Sequence, residues 1–125
     1  MSLTEVNSKF PRVKLNKPVE KRDLINFIQS RSGYVSSDVV GMMYEFCDSI
    51  LFFLKQATPV RLEGIGIFSP SLKLDGTIQI KFRPDKSLVR ELNTSNSLKG
   101  HITNRHNIGK SLDDLAEDSV TNRNG

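Results

Sequence analysis

The sequence predicts an α+β domain in which two helices precede an antiparallel β-hairpin, with a polar segment at each end of the chain. Two observations predict the domain: helical apolar patterns in residues 20–56 and an alternating pattern in residues 60–83. A third observation predicts the flanking segments: prolines and basic residues at the N-terminal end, and only a weak apolar pattern at the C-terminal end. A length of 125 residues allows one compact domain with tails. The formal net charge of +4 permits an anionic partner without requiring one.

The two ends of the chain differ in charge. Residues 1–19 contain Pro11 and Pro18 and four basic residues against one acid, which predicts an extended basic arm. Residues 94–125 are rich in Asn, Ser, Thr and Gly and carry four basic and four acidic residues. They predict a flexible polar tail with a short helix near residues 111–117. The core is therefore expected in residues 20–93.

Two helices open this core. The first is expected from about Glu20 to Arg31, with Leu24, Phe27 and Ile28 on one face and Gly33 ending it. The second is expected from about Asp38 to Gln56, with Ser36 or Ser37 as its N-cap.

The second helix is apolar around most of its circumference. A surface helix needs only an apolar stripe, and a core of this size can hardly cover more. We therefore predict a homodimer that shares this helix, with an interface formed by Met43, Phe46, Cys47, Ile50, Phe53 and Leu54. The alternative is a monomer in which the tail covers the helix.

Even-numbered residues of the hairpin are apolar. Because strand side chains alternate between faces, we expect one face to carry Phe68, Leu72, Ile78, Ile80 and Phe82. This arrangement requires paired residues whose numbers sum to an even value, which excludes a two-residue loop at Asp75-Gly76. It favours the three-residue loop Leu74-Asp75-Gly76, with Gly76 in the left-handed conformation.

The same register predicts a cationic face on the other side of the hairpin. We define it by Ser69, Ser71, Lys73, Thr77, Gln79, Lys81 and Arg83, among which there is no carboxylate. Lys and Arg neutralise phosphates, and Ser, Thr and Gln donate hydrogen bonds, so this composition is typical of a surface that binds a phosphate backbone. The residues alone fit a solvated sheet face equally well.

Two glycines, Gly64 and Gly66, flank Ile65 before the hairpin. Glycine weakens a strand interior unless the strand bends or another group approaches closely. The pair therefore predicts a bend that lets Ile65 point inward.

Other side chains offer little for catalysis or metal binding. The only cysteine, Cys47, excludes an internal disulfide, and His101 and His106 lack further ligands at a metal-binding spacing. No nucleophile is paired with a base, and no stretch resembles a signal peptide or a membrane span. We expect a cytoplasmic protein that is not an enzyme and uses no cofactor, metal or small-molecule substrate.

The order of these elements resembles the HU and integration host factor family of bacterial nucleoid DNA-binding proteins. The resemblance covers about residues 20–93. Residues 21–40, KRDLINFIQSRSGYVSSDVV, are similar to the family's opening helix pair, and GIGIF at 64–68 is similar to its Gly-aromatic-Gly-Thr-Phe element. FRPDKSL at 82–88 is similar to the family's Phe-Lys-x-Gly-Lys-x-Leu.

This resemblance implies an HU/IHF-like α+β fold with a short hairpin arm and a short C-terminal helix, in an intertwined homodimer whose sheets form a saddle over double-stranded DNA. It implies phosphate contacts at Lys21, the Gly64–Gly66 backbone, Arg83 and Lys86. The cationic face adds Lys73, Gln79 and Lys81 to the candidate DNA-binding residues.

The sequence also departs from the family pattern. Only Ser69–Lys81 lies between the matching segments, and the Arg-Asn-Pro tip of DNA-bending members is missing, so we expect modest bending. Asp85 replaces a glycine, and Thr58-Pro59 stands where the family usually has one. Two functions stay open: a sequence-tolerant architectural DNA-binding homodimer of the nucleoid, or a scaffold that kept the dimer fold and lost DNA binding.

Overall fold

The computed structural model describes residues 8–116, which belong to two compact units. One unit is the continuous segment Lys17–Thr94. The other joins the two ends of the chain, up to Asn16 and from Ser95 onward. The division into 1–19, 20–93 and 94–125 stays a prediction, and the joining of the arm to the tail was not expected from the sequence.

The first helix, α1, is Lys21–Ser32, and the second, α2, is Ser36–Leu54. Gly33 ends α1, as predicted, and it does so in the left-handed conformation with a φ of 76°. Its amide donates a hydrogen bond to the carbonyl of Gln29.

The predicted serine cap of α2 is wrong. The N-cap residue is Val35, and no side chain caps the helix. Ser36 and Ser37 already lie in the first turn. The Val35 carbonyl accepts hydrogen bonds from the amides of Asp38 and Val39, so the backbone alone starts the helix here.

A three-stranded antiparallel sheet follows the helices. Its strands are β2 (Val60–Leu62), β3 (Gly66–Leu72) and β4 (Ile78–Pro84), in the order β2-β3-β4. β2 pairs only with Gly66–Phe68, so the outer edge of β3 is unpaired at Pro70. A proline is tolerated there because it has no edge partner to bond. Helix α3, Lys86–Thr94, closes the unit.

Few apolar side chains are buried in Lys17–Thr94. Only Ile25, Val39 and Leu54 are less than a tenth exposed among the apolar residues of this unit. Leu24 and Phe27 are exposed on α1, and Ile65 is 48% exposed, so the expectation that it points inward is wrong. In the single chain, large apolar side chains of both the helices and the sheet therefore stay exposed.

The unit formed by the chain ends contains a two-stranded antiparallel sheet, β1 (Arg12–Val13) with β5 (Ile102–Thr103). One 3₁₀ turn, Lys99–His101, precedes β5 and another, Arg105–Asn107, follows it. Residues 112–116 form helix α4, which confirms the predicted helix as far as the described residues reach. Leu115 of this helix is 1% exposed and is the most deeply buried of the described apolar side chains.

Candidate nucleic-acid interface

The hairpin register agrees with the prediction from residue parity. Ser69 pairs with Lys81 and Ser71 with Gln79, and the Lys73 amide donates to the Thr77 carbonyl at 2.9 Å. Gly76 has a φ of 90°, and its amide donates back to the Lys73 carbonyl at 3.0 Å. The three-residue loop is thus confirmed, and the residues of the cationic face share one side of β3 and β4.

Arg61 extends the cationic face onto β2. It pairs with Ile67, which pairs in turn with Arg83, so the three residues form one row across the sheet. Arg61 was not among the candidate residues predicted from the sequence. Its odd number in the VRL stretch was a signal for this face, but a three-residue strand is too short to display alternation by itself.

A concave surface of about 460 Å³ lies at the end of this row. It is lined by Arg61, Gly66, Ile67, Arg83, Pro84, Asp85 and Lys86. Three cationic side chains face one carboxylate here, so the concavity has a positive balance. Guanidinium and ammonium groups are the side chains that bind phosphate oxygens, bidentately in the case of arginine.

The carboxylate of Asp85 already has partners within the protomer. Its Oδ1 accepts hydrogen bonds from the Ser87 amide at 2.9 Å and the Ser87 hydroxyl at 2.7 Å. Its Oδ2 accepts from the Gly64 amide at 3.3 Å. The Ser87 side chain is the main cause of a lowered pKa for Asp85, followed by the Ser87 and Gly64 amides and the attraction of Arg61. Asp85 therefore starts α3 and holds the Gly64 loop to it.

The two glycines have different roles. Gly66 has a φ of 153° and is buried, and a Cβ built on it would meet the Arg83 carbonyl and come within 2.6 Å of the Phe82 ring. Gly64 has a φ of 83°, and its Cβ position is open. Gly66 thus permits the close packing of β3 against β4, whereas Gly64 supplies a left-handed turn.

The backbone of this loop is largely committed to internal hydrogen bonds. The Gly64 amide donates to Asp85, and the Ile65 amide donates to the Leu62 carbonyl at 2.9 Å. The Ile65 carbonyl accepts from the Asp85 amide at 2.9 Å. The phosphate contact that the family resemblance implied for the Gly64–Gly66 backbone stays a prediction, and two of its amides already have acceptors.

Lys21 lies at the start of α1 and contacts α2. Its Nζ donates to the Tyr44 hydroxyl at 2.8 Å and lies 4.4 Å from the centre of the Tyr44 ring. Lys21 does not line the concavity, whereas Arg83 and Lys86 do. The structure therefore groups two of the three cations implied by the resemblance and leaves the third between the helices.

The predicted dimer-interface residues divide into two groups. Leu54 is buried inside one protomer, and Met43 and Ile50 are half-buried. Phe46 and Phe53 are 47% and 44% exposed, and Cys47 is also exposed.

The apolar face of the sheet is exposed to solvent as well, at Leu72, Ile78, Ile80 and Phe82. Phe82 contacts Phe68 across the strands, with ring centroids 4.8 Å apart.

Residues 8–116 contain no group of three or more His, Cys, Asp or Glu side chains that could hold a metal ion. Across the same part of the chain, none of the helices has the length and apolar character needed to cross a membrane.

Comparison with known proteins identifies similarity over most of the chain. Residues 3–99 match the family model HU-HIG, described as an HU domain fused to wHTH, Ig, or glycine-rich motif. Among solved structures, the chain is similar to a point mutant of HU from Thermotoga maritima, at 22% identity and a TM-score of 0.51. This match covers 59% of the present chain and 99% of the HU chain, and it shows the HU-like fold. No curated protein matches.

Proposed function

Because this chain belongs to the HU-HIG family of HU-like DNA-binding proteins, we propose that it is an architectural protein of the nucleoid. In this proposal it acts as a homodimer that binds double-stranded DNA through phosphate contacts, with little preference for sequence. The proposal includes no catalytic step and no cofactor.

The row of Arg61, Ile67 and Arg83 beside Lys86 carries the proposal. It supports phosphate binding because the cations surround a concavity whose one carboxylate is already hydrogen-bonded to Ser87 and Gly64. Lys81, Gln79 and Lys73 continue the same face toward the hairpin tip. Contacts of this kind fix a protein on the duplex without reading bases, which fits sequence-tolerant binding.

The exposed apolar surface supports the homodimer. Phe46 and Phe53 of α2 border a groove of about 240 Å³ that Val60 and Leu62 line from the sheet side. A large exposed apolar surface of this kind is typical of an interaction site. A second copy of the chain offers the same surface, and a two-fold axis pairs like with like.

The hairpin supports only modest bending of DNA. DNA-bending members of the family that the sequence resembles have a long β-arm whose tip carries a proline wedge. Here the connection from β3 to β4 is a tight three-residue turn, and it contains no proline. The duplex is therefore expected to lie against the face without a sharp kink.

Salt-dependent binding tests the proposal. Each neutralised phosphate contributes about −0.9 to the slope of log affinity against log salt, so about three contacts per chain give a dimer slope near −5. Affinity for a duplex should then fall roughly a thousandfold between 50 and 200 mM salt. In Lys81→Gln/Arg83→Gln the slope should flatten to about −2, and duplexes of unrelated sequence should weaken alike.

A matched control separates this site from net charge. Arg31→Gln/Lys55→Gln removes the same two charges from exposed helix ends outside the concavity, and it should keep nearly the wild-type slope. If the Lys81/Arg83 variant binds as wild type does at 50 mM salt, the cationic face is not the site. If the wild type itself fails to bind duplex DNA there, the scaffold function is the correct one.

A further inference from the structure

Strand β4 is an edge of the three-stranded sheet. It pairs with β3 on one side, and within residues 8–116 no strand lies on its other side. Two hydrogen bonds, each of 2.9 Å, show which of its backbone groups face β3. The Lys73 amide donates to the Thr77 carbonyl, and the Asp85 amide donates to the Ile65 carbonyl. The odd-numbered residues of β4 therefore direct their amides and carbonyls toward β3.

The even-numbered residues direct theirs to the open edge. Because hydrogen-bonding direction alternates along an antiparallel strand, the amides and carbonyls of Ile78, Ile80 and Phe82 face outward. The side chains of these residues are 67%, 59% and 47% exposed. Pro84 has no amide, so the edge ends there. Between these limits, β4 offers another strand both backbone hydrogen bonds and apolar contacts, as in β-strand addition.

The opposite edge of the hairpin is blocked. β2 pairs with β3 only as far as Phe68, and beyond it Pro70 has no amide to offer to a strand. Prolines and charged side chains are means by which proteins keep strand edges from pairing. The three outward-facing residues of β4 include neither. The hairpin therefore directs a pairing strand to β4.

A second copy of β4 fits this edge. Antiparallel pairing around a two-fold axis places the same strand on both sides of the contact. Only the register centred on Ile80 pairs the three outward-facing residues with one another. Ile80 then lies opposite the partner's Ile80, and Ile78 lies opposite the partner's Phe82. Residues opposite each other in a ladder share a face, so these exposed apolar side chains come together.

The same register joins the cationic faces of the two copies. Lys81 lies opposite the partner's Gln79, and Arg83 lies opposite the partner's Thr77, so each cation meets a neutral residue. The two Lys81 residues are diagonal neighbours, about 7–8 Å apart, and they repel each other weakly. A phosphate bound between them would offset this repulsion. The charges therefore favour pairing on DNA over pairing in the free protein.

We propose that β4 of one chain pairs with β4 of a second copy on duplex DNA, and that this contact joins neighbouring homodimers. The inference rests on the proposed function and adds cooperativity to it. The groove assigned to the homodimer is lined by Phe46 and Phe53 of α2 and by Val60 and Leu62 of β2. Because β2 and β4 are opposite edges of the sheet, one chain has room for both contacts. Dimers would then follow one another along the duplex.

Binding to a short duplex with room for one dimer and to a duplex several times longer tests the proposal. With three cross-strand pairs between dimers, the half-saturating concentration of wild type should be about tenfold lower on the long duplex. Ile80→Pro removes an outward amide and no hydrogen bond to β3, because Ile80 lies opposite Pro70. It should bind the short duplex as wild type does and the long one without cooperativity. Ile80→Thr keeps the amide and should stay cooperative.

Cysteine cross-linking gives a second measurement. In a Cys47→Ala background, Ile80→Cys places two thiols on residues whose Cα atoms are about 5.5 Å apart, within the range of a disulfide. Oxidation on the long duplex should give covalently joined chains in a non-reducing denaturing gel. Ile78→Cys is the matched control, because its counterpart lies opposite Phe82 instead. Its yield of joined chains should be about tenfold lower.

The outcomes separate this contact from the proposed function. Cooperative binding by Ile80→Pro, or equal cross-linking of Ile80→Cys and Ile78→Cys, would overturn the pairing of β4. If Ile80→Pro does not fold, the cross-linking decides alone. Wild-type binding to both duplexes without cooperativity would overturn the pairing and leave the proposed function standing. Absence of duplex binding by the wild type would overturn both.

Discussion

The two units of this chain are stabilised in opposite ways. Lys17–Thr94 has regular helices and a regular sheet, yet many of its large apolar side chains are exposed in one protomer. The unit formed by the chain ends has two-residue strands and short turns, but its Leu115 is buried and its buried Asn107 has a partner. The larger unit therefore exposes apolar side chains of the kind that usually form a core. In the smaller unit, hydrogen bonds of polar side chains connect the two chain ends.

The stability of the two units therefore depends on different interactions. Burial of apolar surface is the main stabilising contribution to folding, so a unit that leaves Phe46 and Ile80 exposed gains much of its stability only when that surface is covered. A unit closed by side-chain amides depends on a few hydrogen bonds between distant residues.

A charge on the predicted interface surface of α2 should have the largest effect. Phe46→Asp should leave the protein unfolded or nearly so, because the carboxylate would be buried without a partner between protomers. Phe52→Asp is the matched control on the same helix, since Phe52 is outside the predicted interface and is 58% exposed, close to the 47% of Phe46. Circular dichroism on heating should show a cooperative transition only for the control. Equal effects of the two substitutions would mean that Phe46 is not at an interface.

Gly66→Ala should have the next largest effect. The added methyl group would meet the Arg83 carbonyl and the Phe82 ring at a φ of 153°, so the free energy of unfolding should fall by roughly 2–3 kcal/mol. Gly64→Ala meets no atom and should cost only about 1 kcal/mol through its left-handed conformation. Urea denaturation of both variants measures the difference. A larger loss for Gly64→Ala would contradict the assignment of close packing to Gly66.

Asn107→Ala should affect the smaller unit selectively. It leaves the Lys9 carbonyl without its donor, a loss of about 1–3 kcal/mol in the local stability of that unit. Hydrogen exchange should quicken at the Lys14 amide, which bonds the His101 carbonyl, while amides of α2 stay protected. Asn93→Ala removes an exposed amide that bonds Val89 within α3, and it should leave the Lys14 amide unchanged. If Lys14 exchanges at the wild-type rate in Asn107→Ala, the side-chain amide does not hold the chain ends together.

Asp85 should give a small dependence on pH. Its pKa is lowered by the Ser87 hydrogen bonds, the Gly64 amide and Arg61, so its ionised form stabilises the folded state above the ordinary value of 3.8. That contribution is lost as the pH falls below 3.8 through the lowered folded-state pKa. Asp85→Ala should therefore lose less stability on acidification than the wild type does, as measured by melting temperature. Asp75→Ala removes a carboxyl whose pKa is also lowered, chiefly by Thr77, so it should reduce the loss on acidification in the same direction. An acid response like that of the wild type in both variants would mean that these hydrogen bonds do not stabilise the folded state.

The sequence predicted the large unit better than the small one for physical reasons. Helix and strand periods predicted α1, α2 and the hairpin. The alternation of apolar residues along the two strands predicted the pairing of Ser69 with Lys81. The position of Arg61 on the cationic face was not predicted, because the three residues of β2 are too few to show an alternating pattern. The pairing of the two chain ends was not predicted either. Asn104 and Asn107 contact residues more than 90 positions away, and such contacts leave no local pattern in the sequence.

Within the predicted site, some positions were predicted correctly from local patterns and others were not. Positions that depend on strand alternation, such as Lys81 and Arg83, were placed correctly on one face of the sheet. The role of Asp85 was not foreseen, because a carboxylate that caps a helix and holds a distant loop looks in sequence like an acid opposed to phosphate. Its compensating hydrogen bonds appear only in three dimensions.

Sedimentation equilibrium of the full chain at micromolar concentration tests the central claim most directly. The exposed apolar surface of Lys17–Thr94 is taken to be one half of a two-fold interface. We expect a mass twice the chain mass of 14.1 kDa, at salt concentrations where the protein is folded by circular dichroism. A folded species with the mass of a single chain, stable on dilution, would contradict it.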